Sequence, residues 1–287
     1  MPAPEGTRSL RDAVWWAVLP GAVLFLCLQL FEHVSKGVIG FDSHAYWLAA
    51  REPETWYLLA PGFQDAYLYS PAFAQLLWPV AQLPWPVFQA LWAVLEAGLL
   101  SWLLWPLGWR RGLTIAPFFM TELMLGNVYI LFAAALVVGV TRWPGSLAFF
   151  SITKLAPSVV FFWFVVRREW RSTAVALATT GTIVGISFAI SPHAWVEWLH
   201  FLWSSTGDGS VGAPFRALLA VVVVVWAARA DHAWLLAPAV LLGCPVFGGW
   251  GPLAVLAAIP RLLKAPKLHR AASSTPASTD RTISTVT

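Results

Sequence analysis

Residues 14–31 read Val14-Trp15-Trp16-Ala17-Val18-Leu19-Pro20-Gly21-Ala22-Val23-Leu24-Phe25-Leu26-Cys27-Leu28-Gln29-Leu30-Phe31, eighteen positions without a charge. A run of that length is close to the roughly 20 residues a helix needs to cross a bilayer. Arg8 and Arg11 precede it, as in a signal peptide, but Glu32-His33-Val34 follow, and no small-x-small cleavage site is present. The run therefore reads as an uncleaved first transmembrane helix. The rest of the chain extends this reading. Of 287 residues 59% are hydrophobic and 11% charged, against roughly 25% charged in soluble domains. So much apolar surface exceeds what a soluble core of this size hides, whereas lipid can act as the outer solvent. The 19 Trp residues fit membrane interfaces, where indole rings collect. The expected fold is all-α, a polytopic transmembrane bundle.

Apolar segments fall near 14–31, 67–83, 86–107, 113–140, 146–166, 173–190, 214–228, 233–247 and 250–263. One path gives eight spans, with 67–83 re-entrant or interfacial. Another makes 67–83 a short span and splits 113–140 at Gly126-Asn127, giving ten. Lys/Arg placement orients the chain. Arg8/Arg11, Arg110/Arg111, Arg167/Arg168/Arg171 and the C-terminal tail are expected inside, so both termini are cytoplasmic and the loops near 32–66 and 191–212 external. The chain divides into a cytoplasmic N-terminus (1–13), one transmembrane domain (14–263) and a basic, then Ser/Thr-rich, disordered cytoplasmic tail (264–287). The formal net charge is +4; Arg261 to Thr287 holds five Lys/Arg and one Asp, a local +4. The basic residues form no patch, so nucleic acid is not an expected partner. Cys27 and Cys244 lie in apolar runs and read as buried thiols.

Several polar residues stand out against this background. The 32–66 loop carries Glu32, Asp42, Glu52, Glu54 and Asp65 against Lys36 and Arg51, a local −3, together with Tyr46, Trp47, Trp56 and Tyr57. Carboxylates bond or deprotonate hydroxyls, and flat rings stack on sugars; an ordinary interfacial loop has the same composition. Asp42 and Tyr46 are four apart and share a helix face. Asp42 suits a general base on a hydroxyl, or a helix cap. Lys154 lies inside an apolar run, about 18 Å along a helix from the Arg pair. An ammonium at that depth is costly and points to function, with Asp42, Glu122 or a lipid phosphate as partner; snorkelling is the other reading. Glu96, Glu122 and Asn127 are further polar residues in apolar runs. His193, Glu197 and His200 follow helical spacing beside Trp195, Trp198 and Trp203, which fits an interfacial helix or a substrate contact. It is not a zinc pattern, and no metal or other cofactor is expected. Phosphate-binding glycine loops, serine-hydrolase elbows and Cys-x-x-Cys pairs are missing from the sequence.

In their order, these pieces resemble glycosyltransferase family 87, polytopic enzymes similar to polyprenol-phosphate-mannose-dependent mannosyltransferases. The resemblance rests on Asp42-Ser43-His44-Ala45-Tyr46, Tyr67-Leu68-Tyr69-Ser70-Pro71, Leu125-Gly126-Asn127-Val128-Tyr129 and Lys154-Leu155-Ala156-Pro157, followed by a Trp-containing segment from Trp195 to Trp203, and covers roughly 10–215. Two departures stand beside it. The chain is short for the family, and Cys244-Pro245-Val246-Phe247-Gly248-Gly249-Trp250 lacks a histidine the family often shows late in the chain. The resemblance implies an enzyme of the cell envelope, in the cell membrane. Its partners would be the bilayer, a polyprenyl-phosphate sugar donor and a glycan or glycolipid acceptor on the external face. A hexose, mannose by the resemblance, would be transferred with inversion. Asp42 would be the base, and Tyr46, Tyr69, Asn127, Lys154, His193, Trp195 and Glu197 would bind substrate. Asp42 and Lys154 are expected to share one outward-facing cavity. The alternative is a degenerate, non-catalytic relative serving as a membrane partner protein or as a lipid or solute carrier.

Overall fold

A computed structural model describes residues 5–205, 212–244 and 251–265. Among these residues the chain is helical, without strands. The helices are α1 (Glu5–Ser35), α2 (Phe41–Arg51), α3 (Pro71–Ala81), α4 (Trp85–Leu104), α5 (Trp109–Ile115), α6 (Met120–Leu125), α7 (Tyr129–Thr141), α8 (Ala148–Thr153), α9 (Phe162–Val166), α10 (Trp170–Ile190), α11 (Pro192–Ser205), α12 (Gly212–Ala230), α13 (Leu236–Gly243) and α14 (Ile259–Leu262). Tighter 3-10 segments lead directly into five of them, at Ala116–Phe119, Pro144–Leu147, Ala156–Phe161, Ala233–Leu235 and Gly251–Ala258. The chain is an all-α polytopic bundle.

Four described helices are long and apolar enough to cross a membrane: Ala13–Ser35, Trp85–Leu107, Trp170–Ile190 and Gly212–Ala230. A fifth crossing requires Trp109–Leu125 and Tyr129–Thr141 to count together, although they are bent by 114°. The eight or ten spans expected from the nine apolar segments are thus not all straight crossing helices among the described residues. The runs 113–140 and 146–166 each break in the middle, at Gly126-Asn127 and at Lys154-Leu155. Pro157–Val166, Ala233–Gly243 and Gly251–Leu262 are short apolar helices. The segment 67–83 yields α3, whose 11 residues are too few to cross. The chain from 191 onward folds as α11.

Helix α1 stands at the edge, touching mainly α5, α6 and the turn between them. Leu24, Leu28 and Phe31 lie on its outward, lipid-suited face, and Cys27 is exposed there rather than buried. Cys244 is buried, as expected. The 245–250 departure and the tail from 266 lie outside the described residues.

One end of the bundle gathers the cations. Arg261 donates from Nε to the Trp102 carbonyl (2.7 Å) and lies over the Trp102 ring. Lys264 donates to the Pro106 carbonyl at 2.9 Å, and Arg111 lies over the Trp15 ring. Arg167 bonds Asp231 and Glu169. The start of α1 thus shares an end with Arg111 and the last described residues. The opposite end carries α2, where Trp47 donates to the Leu83 carbonyl and Arg51 to the Ala81 carbonyl.

Candidate active site

Two interrupted helices and the segments on either side of residues 245–250 build the site, and each of the two breaks has a local cause. The first lies between α6 and α7. Gly126 ends α6 at φ +71°, the left-handed conformation glycine adopts without strain. A side chain there would run into Ser43. Asn127 and Glu122 then satisfy the free N–H groups that open α7. Asn127 Oδ1 accepts from Val128 N (2.7 Å), and Glu122 Oε1 from Tyr129 N (2.6 Å). Trp92 Nε1 holds the turn from α4 by donating to the Gly126 carbonyl (2.9 Å).

Helix α2 docks on this turn. Its first residue follows Gly40, whose N–H donates to the Met124 carbonyl (2.7 Å). Asp42 sits in the first turn of α2 but does not cap it. Its carboxylate instead accepts from Asn127 Nδ2 at 2.9 Å. One turn on, the Tyr46 and Tyr69 hydroxyls are hydrogen-bonded to each other at 2.8 Å, and each lies 3.3 Å from Asn127 Oδ1, so that one donates to its neighbour and the other to Asn127. Burial pushes the Asp42 carboxyl up from its ordinary value, while the Lys154 ammonium and the Asn127 amide pull it back part of the way.

The second break places Lys154. It does not ride inside a continuous helix, as its position in the apolar run suggests. It terminates α8 in an extended conformation, three residues before Pro157. Proline disfavours helix just upstream and cannot donate to a helix interior, which accounts for a nearby break. Ser70 ties the strap before α3 to this turn by donating to the Ile152 carbonyl, which sets Tyr69 beside Lys154. The ammonium sits 3.9 Å from the Tyr129 ring centroid and 5.4 Å from that of Tyr69. Lys154 is only partly buried, and among the described residues no carboxylate lies within ion-pair distance of it. Glu122 and Asp42 act on it through space.

The end of α13 and the segment beginning at Gly251 complete the site. Cys244 is buried there, and its thiol donates to the Val240 carbonyl at 3.3 Å. A side chain on Gly251 would start 2.9 Å from Glu122 Oε2, an oxygen otherwise without a partner among the described residues. The space for Glu122 and Tyr129 thus depends on a glycine more than 120 positions downstream.

Of the residues singled out in sequence, Asp42, Tyr46, Tyr69, Asn127 and Lys154 meet here. The other three do not join them. His193 and Glu197 pair with each other at 3.2 Å on the exposed side of α11. Trp195 turns inward and donates to Ser187 Oγ at 3.0 Å. The interfacial-helix reading fits this placement: Trp195 and Trp198 pack on Ala72 and Ile152 while Val196, Leu199 and Trp203 face out. Tyr129 is the residue not singled out as a site member. Its signal was its place in the quoted Gly126–Tyr129 element, at the head of a helix facing a lysine.

The family model of glycosyltransferase family 87 matches residues 67–277, more than half of the chain. The chain belongs to glycosyltransferase family 87. It is a multi-pass membrane glycosyltransferase. The family 87 match covers Tyr69, Asn127, Lys154 and the Cys244–Trp250 departure, and it begins after α2 and Asp42. No curated protein and no solved structure matches the chain.

No cluster of three or more His, Cys, Asp or Glu suited to a metal occurs among the described residues. Among the described residues the arrangement supplies a positioned carboxylate, an ammonium with no carboxylate at ion-pair distance, and hydroxyls between them.

Proposed function

We propose that this family 87 enzyme moves a hexose, mannose by its resemblance, from a polyprenyl-phosphate donor to a hydroxyl of a glycan or glycolipid on the external face. The observation that carries this reading is the pairing of two roles in one network. Asp42 is held by Asn127, Asn127 by Tyr46 and Tyr69, and Tyr69 borders an ammonium with no carboxylate partner. A fixed cation left unpaired suits an anion that arrives with the substrate.

The donor's sugar is bonded to phosphate through its anomeric carbon. Asp42 takes the proton of the acceptor hydroxyl as that oxygen attacks the anomeric carbon from the face opposite the phosphate. The new C–O bond forms as the bond to phosphate breaks, and configuration inverts. Polyprenyl phosphate leaves with the bonding electrons, and Lys154 stabilises the negative charge that grows on it. Rings flanking the ammonium keep water from screening it, so the charge acts at lower dielectric than in bulk.

In this scheme Asn127 positions Asp42 rather than binding sugar, because its amide groups are already occupied within the protein. Positive-inside asymmetry puts the Arg111/Arg261 end in the cytoplasm and the Asp42 end outside, with the enzyme in the cell membrane. The test is transfer of labelled mannose from polyprenyl-phosphate-mannose in membranes holding the intact protein or Asp42→Asn. Transfer by the intact protein that falls by about 10²–10⁴ in Asp42→Asn at equal protein level is expected. Transfer that survives Asp42→Asn removes the base from Asp42, and no transfer from this donor removes the donor assignment.

A further inference from the structure

At the cation-rich end lies a cavity of about 280 Å³, far from the network just described. Helix α7 connects the two. Tyr129 at its start faces Lys154, and Thr141 at its end lines the cavity, about 18 Å away along the helix. The other walls are Trp163 from the start of α9, Asp231 and His232 from the turn after α12, Trp234, and Leu262, Leu263 and Ala265 at the end of α14 and just after it. The proposed transfer reaction uses none of these residues.

The chemistry of the lining narrows the occupant. Arg167 fixes the Asp231 carboxylate through Nη1, and its guanidinium covers the Trp163 ring at 4.7 Å. That cation is spent on Asp231 and Glu169, so an anion entering the cavity would meet a carboxylate with its counter-charge already engaged. A metal ion would find one carboxylate in the lining, too few ligands for a hard cation. A lipid tail would leave polar groups of the lining unsatisfied: Asp231 keeps acceptor capacity beyond its bond to Arg167, and His232 and Thr141 are exposed there. A neutral ring bearing several hydroxyls meets these conditions. It can donate to Asp231, bond His232 and Thr141, and lay an apolar face on Trp234. Ligand pockets usually run from about 300 to 1,000 Å³, so this volume suits a single ring.

We infer that the cavity bounded by Thr141, Trp163, Asp231, His232 and Trp234 is a second binding site, for one hydroxylated ring of hexose size. The ring is either a free sugar or the head group of a membrane glycolipid. This inference does not depend on the donor or the acceptor of the transfer reaction.

The experiment uses the full chain in phosphatidylcholine nanodiscs. Saturation-transfer NMR reports contact with methyl α-hexosides in solution, and a second set of discs carries a monohexosyl diacylglycerol, read by its retention on the purified protein. The Asp42→Asn protein should keep its signal in whichever arm is positive, which separates this cavity from the transfer site. His232→Leu and Trp234→Ala should each weaken binding by about tenfold or more, as loss of a polar or stacking partner predicts. Both residues lie at the turn after α12, and His232 adjoins Asp231, so an unchanged melting temperature checks that the Arg167–Asp231 pair and the fold are kept. A signal in the solution arm identifies a free sugar, and a signal only in the glycolipid arm identifies a lipid head. Silence in both arms, binding lost in Asp42→Asn but kept in His232→Leu, or retention of phosphatidylglycerol in place of either sugar would overturn the inference.

Discussion

Asn127 donates its side-chain amide to the Asp42 carboxylate at 2.9 Å, across 85 positions of sequence. The same amide accepts from one of the paired Tyr46 and Tyr69 hydroxyls and from the backbone that opens α7. Asn127→Ala therefore leaves Asp42 unheld and two donors without their acceptor. Transfer should fall by about 10²-fold through kcat, less than in Asp42→Asn, with a loss of about 1–3 kcal/mol in stability. An Asn127→Ala enzyme with unchanged kcat would remove the positioning role.

The position of Asp42 sets a pH dependence. Burial raises its carboxyl above the ordinary range, and Lys154 lowers it part of the way back. Only the ionised carboxylate accepts a proton, so transfer should rise with pH along a limb above that range. Lys154→Met removes a lowering charge and should shift this limb to higher pH, as well as slowing turnover. A limb that stays in place in residual-activity profiles would show that the ammonium does not act on Asp42.

Stability follows with the opposite sense. A carboxyl raised in the folded state binds its proton more tightly there than in the unfolded chain. Stability is then lost as pH rises from the ordinary carboxylate range through the raised value. Asp42→Asn is neutral throughout, so it should melt no lower than the wild type at neutral pH and show less pH dependence. Thermal melts across pH in detergent measure both.

Gly126 carries the first turn at φ +71° with Ser43 against it. Gly126→Ala should cost about 1–3 kcal/mol from conformation alone and displace Asn127. A lower melting temperature together with weaker transfer is expected. Pairing it with Ser43→Gly should recover the steric part but not the conformational part.

Sidedness can be read with single cysteines in a Cys27→Ala background, since Cys244 is buried. Leu58 and Trp105 are 73% and 80% exposed and lie toward opposite ends of the bundle. An impermeant maleimide should label Leu58→Cys on intact cells and spare Trp105→Cys. The reverse pattern would place Asp42 in the cytoplasm and exclude an external acceptor.

Much of this site is legible in sequence where the signal is local or costly. Asp42 and Tyr46 share a helix face because they are one turn apart, and both reach Asn127. Lys154 stands out because a charge inside an apolar run is expensive. Its setting does not stand out: hydropathy counts the run as one span, while the backbone breaks at Lys154. Glu122 stands out for the same reason as Lys154, but the contact of Gly251 with Glu122 and Tyr129 joins distant segments and leaves no trace in composition. His193 and Glu197 illustrate the converse. Their helical spacing is real, but it brings them to each other on an exposed face.

The Gly251 contact with Glu122 also bears on how the enzyme is made. Residues 236–258 emerge from the ribosome after every other described element except α14. Until they insert, Glu122 and Tyr129 lack the wall that Cys244 and Gly251 provide, and Lys154 stands beside an open side of the bundle. In the proposed reaction, the surroundings of Lys154 are thus completed by residues made more than 80 positions after Lys154 itself, later than α2, α7 and α8.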